Sequence, residues 1–466
     1  MGGFFGVVAK SDCVRNLFYG TDYHSHLGTV RGGLAVRNEN GFQRHIHDIT
    51  NAQFRSKFDD DIDSMHGNKG IGVISDYDDQ PLIIGSHLGV YGIVTVGVIQ
   101  NIAALSRQAF RQGTHFSEMS GTEINPTELV ATLINQAGSF EEGIRCAQEA
   151  IEGSCSILIL TDEGIYAARD RLGRTPVTIG KGPTGFAATM ETCAFPNLGY
   201  DIYSYLGPGE IVFFNDVAVE QRRAPDDKMQ ICAFLWVYYG YPASCYEGIN
   251  TESVRYRCGQ ALARSEDAAV DVVAGIPDSG TAHGLGYANE ANLPFRRPFV
   301  KYTPTWPRSF MPQSQAVREL VANMKLIPVR EIIEDQRILF CDDSIVRGTQ
   351  LKDNARRMFD SGAREVHIRS ACPPLLYPCK FLNFSRSRSE MDLAARRTAS
   401  KLEDGNCENC LAEYGTPGSD RQCAMVEKIR QRLGVTSLRY QKLDDLVKAI
   451  GLPKEKLCTY CWDGTE

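Results

Sequence analysis

The sequence feature that most constrains the fold is an apolar run that ends in two acids and leads, through a glycine turn, into an amphipathic helix. Residues 338–341 read Ile-Leu-Phe-Cys, which is typical of a strand buried on both faces, and Asp342 and Asp343 follow directly. The apolar residues that then recur at helical spacing are Leu351, Ala355 and Met358. Similar strand and helix patterns alternate from about residue 230, which predicts a mostly parallel sheet with ligands at the carboxyl ends of its strands.

The turn between this strand and helix has the chemistry to bind a phosphorylated sugar. Peptide N–H groups at a helix N-terminus attract phosphate, and Gly348 lets the backbone approach it closely. Ser344 and Thr349 add hydroxyl donors. The paired aspartates suit ribose hydroxyls or a Mg²⁺ ion that bridges to a pyrophosphate. An ordinary strand, turn and helix with solvated acids is the plain alternative, but it gives no reason for these two opposite electrostatic roles side by side.

The stretch resembles the phosphoribosyl-pyrophosphate (PRPP) loop of type I phosphoribosyltransferases, most closely that of the glutamine PRPP amidotransferase family. The resemblance implies that Asp342 and Asp343 are catalytic and hold the ribose hydroxyls and Mg²⁺. The turn residues that it assigns to the 5-phosphate are Ser344, Ile345, Val346, Arg347, Gly348 and Thr349. Residues 277–280, Pro-Asp-Ser-Gly, resemble the family's pyrophosphate turn, in which Ser279 would contact Mg²⁺ and Gly280 would let the backbone come close.

The same resemblance extends to a loop that closes over PRPP in the family. It covers residues 308–315 and implies a catalytic role for Arg308, while Lys301 and Lys325 match family lysines near the phosphates. The segment just before the loop departs from the family pattern, since residues 303–307 read Thr-Pro-Thr-Trp-Pro. Two prolines stiffen a segment that is usually mobile, so loop closure is left open.

Residues 1–225 resemble the glutaminase domain of that family, and residues 226–466 its phosphoribosyltransferase domain. The segments that carry the first match are 169–173, 191–194 and 207–211. The fold expected from the resemblance is α+β followed by α/β: an αββα sandwich of the N-terminal-nucleophile hydrolase type, then a parallel-sheet domain. A polar, proline-bearing linker near residues 223–228 marks the boundary between the two domains.

The catalytic segments of the glutaminase are altered. Gly2 stands where the family has its nucleophilic cysteine, and Val96-Gly97 stands at the Asn-Gly pair of the oxyanion hole. The segment 85–90 lacks the arginine that holds the glutamine carboxylate, and 125–128 lacks the aspartate that holds its amine. We therefore predict an inactive glutaminase. Cys13 is either a substitute nucleophile or, more simply, a buried thiol.

Four cysteines match positions that hold a [4Fe–4S] cluster in one branch of the family. They are Cys232, Cys379, Cys458 and Cys461. Zinc is an alternative, because four thiolates suit zinc as well. A site without any metal is the other alternative. A further set, Cys407, Cys410 and Cys423, lies in or beside a polar insertion at about 396–422. We interpret this insertion as a surface loop with incidental cysteines, and a partner-dependent or redox site is the alternative.

Composition argues against two classes of protein. The formal net charge of −7 argues against nonspecific nucleic-acid binding, and no apolar run is long enough for a membrane span, so we expect a cytoplasmic protein. The resemblance implies a homo-oligomer, a dimer or tetramer, that makes 5-phosphoribosylamine for purine biosynthesis from PRPP and ammonia, the latter free or from a supplying protein. A non-catalytic PRPP-binding subunit and a transferase with another nitrogen nucleophile are the alternatives.

Overall fold

The first half of the chain is built from antiparallel strands in a computed structural model that describes residues 2–120, 123–265, 268–302, 326–382 and 389–466. Its strands are β1 Gly3–Ala9, β2 Arg31–Asn38, β3 Gly41–Asp48, β4 Lys69–Ser75, β5 Leu82–Ser86, β6 Gly89–Ile99, β7 Met119–Ser120, β8 Glu123–Ile124, β9 Gly153–Leu160, β10 Ile165–Ala168, β11 Thr178–Lys181, β12 Gly185–Thr189, β13 Asp201–Tyr205, β14 Ile211–Phe214 and β15 Val219–Arg223. Its helices are α1 Val14–Asp22, α2 Phe54–Ile62, α3 Ile102–Arg111, α4 Pro126–Ile134, α5 Phe140–Ala150 and α6 Ala194–Leu198.

These strands form two stacked sheets. One has seven strands in the order β13-β11-β12-β1-β4-β2-β3, and the other has six in the order β15-β14-β10-β9-β6-β5. Side chains alternate along β1, so Phe4 and Val8 enter the core between the sheets whereas Phe5 and Val7 pack against α1. Helices α4 and α5 cover the outer face of the six-stranded sheet. The expected αββα sandwich is confirmed.

The second half contains the predicted parallel sheet. Its strands are β16 Ile231–Cys232, β17 Cys245–Tyr246, β18 Ile249–Asn250, β19 Val272–Gly275, β20 Phe299–Lys301, β21 Leu326–Pro328, β22 Arg337–Asp342, β23 Glu365–Ser370, β24 Ser437–Tyr440 and β25 Leu457–Cys458. Its helices are α7 Thr251–Arg264, α8 Thr281–Ala291, α9 Arg330–Ile333, α10 Thr349–Asp360, α11 Ala394–Leu402, α12 Leu411–Gly415, α13 Asp420–Leu433, α14 Leu443–Ile450 and α15 Tyr460–Asp463. The sheet has the order β19-β22-β23-β24, and every neighbouring pair is parallel.

Both faces of this sheet are buried, as the apolar run at residues 338–341 predicted. Leu339 and Cys341 share a core with α7 and α8, whereas Ile338 and Phe340 share one with α10 and α13. Strand β20 does not join the parallel sheet but pairs with β21 in a separate two-stranded ribbon.

The insertion is helical, so its interpretation as a surface loop was wrong. Residues 396–422 contribute to α11, α12 and α13, and the side chains of Cys407, Leu411 and Tyr414 are buried in the core beneath α10. Arg396 is buried as well and pairs with Glu390 and Glu408. Among the helices of the described ranges, none is both long and apolar enough to cross a membrane.

Candidate functional site

The twin acids and the serine turn meet at one edge of the parallel sheet. Strands β19 and β22 are neighbours with Gly275 opposite Cys341, so the loops that follow them leave the sheet side by side. The Ser279 hydroxyl donates to Asp343 Oδ2 at 2.5 Å, and the Ser344 hydroxyl donates to Oδ1 of the same carboxylate at 2.6 Å. Two loops separated by more than sixty residues of chain thereby share one carboxylate.

The electrostatics of this edge favour a bound cation. Burial and the charge of Asp343 raise the pKa of Asp342 well above its usual range, and burial also raises the pKa of Asp343. The N–H of Asp343 donates to Asp342 Oδ1 at 3.0 Å and orients it. Because two adjacent buried carboxylates repel each other, a divalent cation beside them stabilises their ionised forms.

Glycines shape both turns. Gly348 has φ +75° and leads into α10, so the turn before that helix takes a left-handed backbone that glycine adopts without strain. A Cβ at Gly280, just before α8, would lie 2.3 Å from the carbonyl oxygen of Cys341. Both helices therefore begin at the sheet edge where the acids lie, with their N-termini available to anionic groups.

The turn after the acids is held in place by contacts from a later segment of the chain. Ile345 is buried and Val346 half-buried, so these two residues offer backbone groups to a ligand while their side chains pack inward. The N–H of Ala394 donates to the Val346 carbonyl at 2.7 Å. Arg347 lies 3.4 Å from Asp392. The segment just before the insertion thus holds the phosphate turn, a support that sequence reasoning missed because no local pattern joins residues 392–394 to this turn.

The remaining predicted site residues divide into two groups. Lys301 is present at this edge, where its ammonium group forms an ion pair with Asp278 of the serine turn. Arg308, Lys325 and the closing loop at 308–315 lie outside the described residues, as does the proline-bearing segment 303–307.

Arg255 is a buried cation that sequence reasoning missed. It lies on α7 and donates to the carbonyl oxygens of Trp236, Tyr238 and Gly240 at 2.8–3.0 Å. Its charge acts on Asp343 and lowers the pKa of that carboxyl, in opposition to the effect of burial. Its signal in the sequence is a lone arginine on the buried stripe of α7, flanked by Val254 and Cys258.

The start of β1 has no room for a catalytic side chain. A Cβ at Gly2 would lie 2.1 Å from the backbone oxygen of Ile74, and one at Gly3 would lie 2.5 Å from the ring of His24. His24 is fully buried, with Nδ1 2.9 Å from the Gly20 carbonyl and Nε2 accepting from the N–H of Glu191 at 3.2 Å. Burial lowers the pKa of His24 to about 4, so this ring is neutral at pH 7.

At other altered glutaminase positions, the side chains have roles in the fold. Val96 is buried between the two sheets, and its side chain has no hydrogen-bond donor. Asn125 caps α4, with its side-chain oxygen accepting from the N–H of Thr127 at 2.8 Å. Glu128 does not complete that cap, since its carboxylate instead accepts from the N–H groups of Ser117 and Glu118.

Cys13 is a poor substitute nucleophile. Its side chain is 1% exposed and packs in the core beneath α1, and burial raises the pKa of its thiol. Because the thiolate is the reactive form, a buried and protonated thiol does not attack an amide. The simpler interpretation, a buried core thiol, agrees with this geometry.

The four cysteines expected to share a cluster line one small cavity of about 10 Å³. Strand β16 pairs in parallel with β25, which sets Cys232 opposite Cys458, and Cys379 and Cys461 complete the lining. All four are free thiols. Burial and the neighbouring thiols of Cys458 and Cys379 raise the pKa of Cys232.

The spacing of these thiols distinguishes between kinds of metal centre. Four thiolates on one zinc ion stand about 3.8 Å apart, given a zinc–sulfur bond of about 2.3 Å. Within the described part of the chain, no three of these sulfur atoms lie within 4.8 Å of one another. Thiolates that bind different irons of a cluster stand farther apart than thiolates on one zinc ion.

Comparison with known proteins agrees with both halves of the fold. A family model described as "Glutamine amidotransferase domain" matches residues 69–195. Amidophosphoribosyltransferase from Pyrococcus horikoshii is 30% identical over 383 residues, which is 81% of this chain and 83% of that protein. The enzyme of the same name from Bacillus subtilis is 28% identical over 462 residues, covering 96% of this chain and 89% of that protein.

Solved structures match over nearly the whole length. The structure of glutamine PRPP amidotransferase from Bacillus subtilis in complex with ADP and GMP superimposes with a TM-score of 0.85 at 27% identity, covering 99% of this chain and 96% of that one. A structure described as the allosteric regulatory enzyme of purine biosynthesis gives a TM-score of 0.84 at 27% identity. The matched protein in each case carries both domains in the same order as this chain does.

Proposed function

The chain belongs to the amidophosphoribosyltransferase family, and on that premise we propose that it transfers ammonia to PRPP to give 5-phosphoribosylamine and pyrophosphate. The observation that carries the proposal is the Ser279–Asp343 contact, because it joins the two substrate turns at one sheet edge. A strand, two acids and a glycine turn occur in many folds. Their junction with a second glycine turn, between two helix N-termini, is far more selective for a sugar that carries phosphate at both ends.

Each group at this edge has a place in the reaction. The nitrogen forms a bond to the anomeric carbon, the carbon–oxygen bond to pyrophosphate breaks, and the nitrogen gives up a proton. Asp342 and Asp343 would accept hydrogen bonds from the ribose hydroxyls, and the turn at Gly348 would hold the 5-phosphate. Lys301 and the turn at Ser279 would face the leaving pyrophosphate. Mg²⁺, held by Asp342, Asp343 and Ser279, would neutralise the charge of that leaving group.

Glutamine is not the nitrogen donor in this proposal. A glycine replaces the nucleophile, the space beside it is filled by His24 and the backbone of β4, and Val96 replaces the oxyanion donor. Losing one such donor typically costs about 10²–10³ in rate, and here the nucleophile is lost as well. Ammonia would come from solution or from a protein that supplies it.

We also propose a [4Fe–4S] cluster on Cys232, Cys379, Cys458 and Cys461. The support is the common cavity and the wide spacing of the sulfur atoms. Cys232 precedes the strands of the parallel sheet in the chain and Cys458 follows them, so a cluster there would tie β16, just after the proposed boundary at residue 225, to the C-terminal segment. Its chemistry would be structural cross-linking of distant segments.

A binding and turnover experiment tests the transferase proposal. PRPP is titrated calorimetrically with and without Mg²⁺, and pyrophosphate release is then followed after ammonium is added. We expect magnesium-dependent binding and ammonium-dependent release. Binding without release under any nitrogen source would favour a regulatory subunit, release only with another amine would favour a different transferase, and no binding would refute the assignment.

The cluster proposal is tested by metal analysis of protein purified without oxygen. We expect about four iron atoms and four sulfides per chain, with broad visible absorbance, by the definition of the cluster. The Cys458→Ser variant is expected to lose most of the iron, whereas Cys146→Ser, a half-buried thiol outside the cavity, is expected to keep it. One zinc ion per cavity and no iron would contradict the proposal.

A further inference from the structure

Two histidines and an aspartate converge on the outer strand of the seven-stranded sheet, away from both sites described above. Strand β3 is the outermost strand of that sheet, and His45 and His47 lie two residues apart on it. Side chains two apart on a strand point to the same face, so both imidazoles lie on one side of β3. Helix α2 packs against this side and brings Asp61, in its last turn, over the two rings.

The contacts are direct and use a different carboxylate oxygen for each ring. His45 Nδ1 lies 2.9 Å from Asp61 Oδ1, and His47 Nε2 lies 2.5 Å from Asp61 Oδ2. The three potential ligand atoms all lie within 4.8 Å of one another. The side chains are between 19% and 35% exposed, so an ion from solution can reach them.

The position of the aspartate is fixed by packing rather than by the ion pairs alone. Phe54 and Phe58 anchor α2 in the core, and the Phe58 ring meets His47 edge-on at 4.7 Å with an interplanar angle of 83°. Asp61 follows Phe58 by three residues and so lies on the same side of the helix. Anchored ligands lose little conformational freedom when an ion binds, which favours binding.

We propose that His45, His47 and Asp61 bind one first-row divalent transition-metal ion, with Zn²⁺ as the biological candidate. Metal–nitrogen and metal–oxygen bonds of about 2.0–2.2 Å place neighbouring ligands about 3–3.5 Å apart, close to the observed arrangement. Two imidazoles disfavour Mg²⁺ and Ca²⁺, which prefer oxygen. Binding would need each ring to present the lone pair of the nitrogen that now faces the carboxylate, and water would complete the coordination.

Such an ion would join α2 to the sheet's outer strand. The site lies in the amino-terminal half, whereas the PRPP turns lie in the other half, so the ion would stabilise the first domain and take no part in transfer. Its effect would therefore appear in thermal stability and metal content rather than in the transferase rate.

Equilibrium dialysis against Zn²⁺ tests the proposal on the full-length protein. We expect the wild type to bind one more Zn²⁺ ion per chain than the His47→Gln and Asp61→Asn variants. If the variants still bind that ion, the wild type should bind it at least tenfold more tightly. Binding of Co²⁺ separates this site from the cysteine cavity, because thiolate ligands give an intense charge-transfer band and imidazole or carboxylate ligands do not. The Co²⁺ ion that the wild type binds and His47→Gln does not should lack that band.

His66→Gln is the matched control, because His66 is an exposed histidine near the same strand, with a side chain 75% exposed. It should bind metal as the wild type does. Zn²⁺ should also raise the melting temperature of the wild type and of His66→Gln, but not that of His47→Gln. If His47→Gln and Asp61→Asn keep the wild-type zinc stoichiometry, affinity and zinc-induced shift, the three side chains form only an ion-paired contact and the proposal is refuted.

Discussion

The start of β1 and the carboxyl edge of the parallel sheet are both expected active sites, and they differ in what occupies them. At the sheet edge, Ser279, Asp343 and Ser344 converge on a surface that a ligand can use. At β1, the space a nucleophile would need is filled by the Ile74 backbone and by His24. Both regions keep their scaffold, so the difference lies in individual side chains rather than in the fold.

This difference teaches that a scaffold can be kept where the residues expected to carry its chemistry are replaced. Arg169 is fully buried and donates to the carbonyl oxygens of Gly173, Thr175 and Leu206, and Asp170 holds the backbone of Thr175. These contacts stabilise the first domain whether or not it hydrolyses glutamine. A match to the glutaminase fold therefore carries little information about glutaminase activity, since the matching segments are those that hold the sheets together.

The largest expected effect is at the sheet edge. We expect Asp343→Asn to lower ammonium-dependent pyrophosphate release by about 10²-fold or more, because it removes a preorganised charge from the metal and ribose site. A steady-state assay with saturating PRPP measures it. Asp353→Asn, an exposed acid on α10, serves as the control and should retain the wild-type rate. Equal rates in the two variants would show that the twin acids are ordinary solvated residues.

The burial of His24 beside the start of β1 predicts that the stability of the protein depends on pH. The folded chain holds this ring with a pKa lowered to about 4, whereas the unfolded chain takes up a proton near pH 6.5. The stability that comes from burying the neutral ring is therefore fully present above pH 6.5. As pH falls from 6.5 to 4, the free energy of unfolding decreases by about 3 kcal/mol.

Urea unfolding of the wild type and of His24→Gln at several pH values measures this contribution. The variant should lose less stability than the wild type between pH 6.5 and 4. Asp78, whose pKa burial raises to about 6, titrates with the opposite sign in an overlapping range, but it is present in both proteins and cancels in the difference. Parallel pH profiles would mean that His24 is accessible to protons in the folded state.

Restoring the nucleophile should fail. Gly2→Cys places a side chain 2.1 Å from the Ile74 oxygen, so we expect a loss of about 1–3 kcal/mol in the free energy of unfolding and no glutamine hydrolysis. Gly85→Cys is the matched substitution, since nothing lies within 4 Å of its Cβ, and its stability should change little. Chemical denaturation and glutamate release are the two readouts. Glutaminase activity in Gly2→Cys would show that only the nucleophile had been lost.

The smallest expected effect concerns the phosphate turn. Arg347→Ala should raise the KM for PRPP about tenfold with a smaller change in kcat, because a charge-assisted contact to phosphate contributes about 1.5–3 kcal/mol and this side chain is half exposed. Initial rates over a range of PRPP concentrations separate the two constants. Arg356→Ala, an exposed arginine of α10, should change neither.

The sheet edge was predictable because its signal is local. A buried strand, two acids and a glycine turn are contiguous in sequence, and Leu351, Ala355 and Met358 of the following helix are buried as their spacing predicted. A common edge for the two loops followed once parallel strands were inferred, whereas the Ser279–Asp343 contact depends on β19 and β22 being neighbours. The four cysteines came from the family resemblance, since no local pattern joins Cys232 to Cys458.

The misses have a different physical origin. The closeness of Gly2 to Ile74 depends on the register between β1 and β4, and the place of His24 depends on how α1 ends, neither of which a sequence pattern states. The insertion was misjudged because it is polar, although Met425, Ile429 and Leu433 beyond it recur at helical spacing and are buried. Arg255 was missed because burial of an arginine depends on distant carbonyl groups.

One assay tests the central claim, that the transferase site is kept and the glutaminase site is lost. Purified protein is given PRPP and Mg²⁺ with either ammonium or glutamine, and pyrophosphate and glutamate are measured together. We predict pyrophosphate release with ammonium, and neither glutamate nor pyrophosphate release with glutamine alone. Glutamate formation coupled to pyrophosphate release would contradict the account directly.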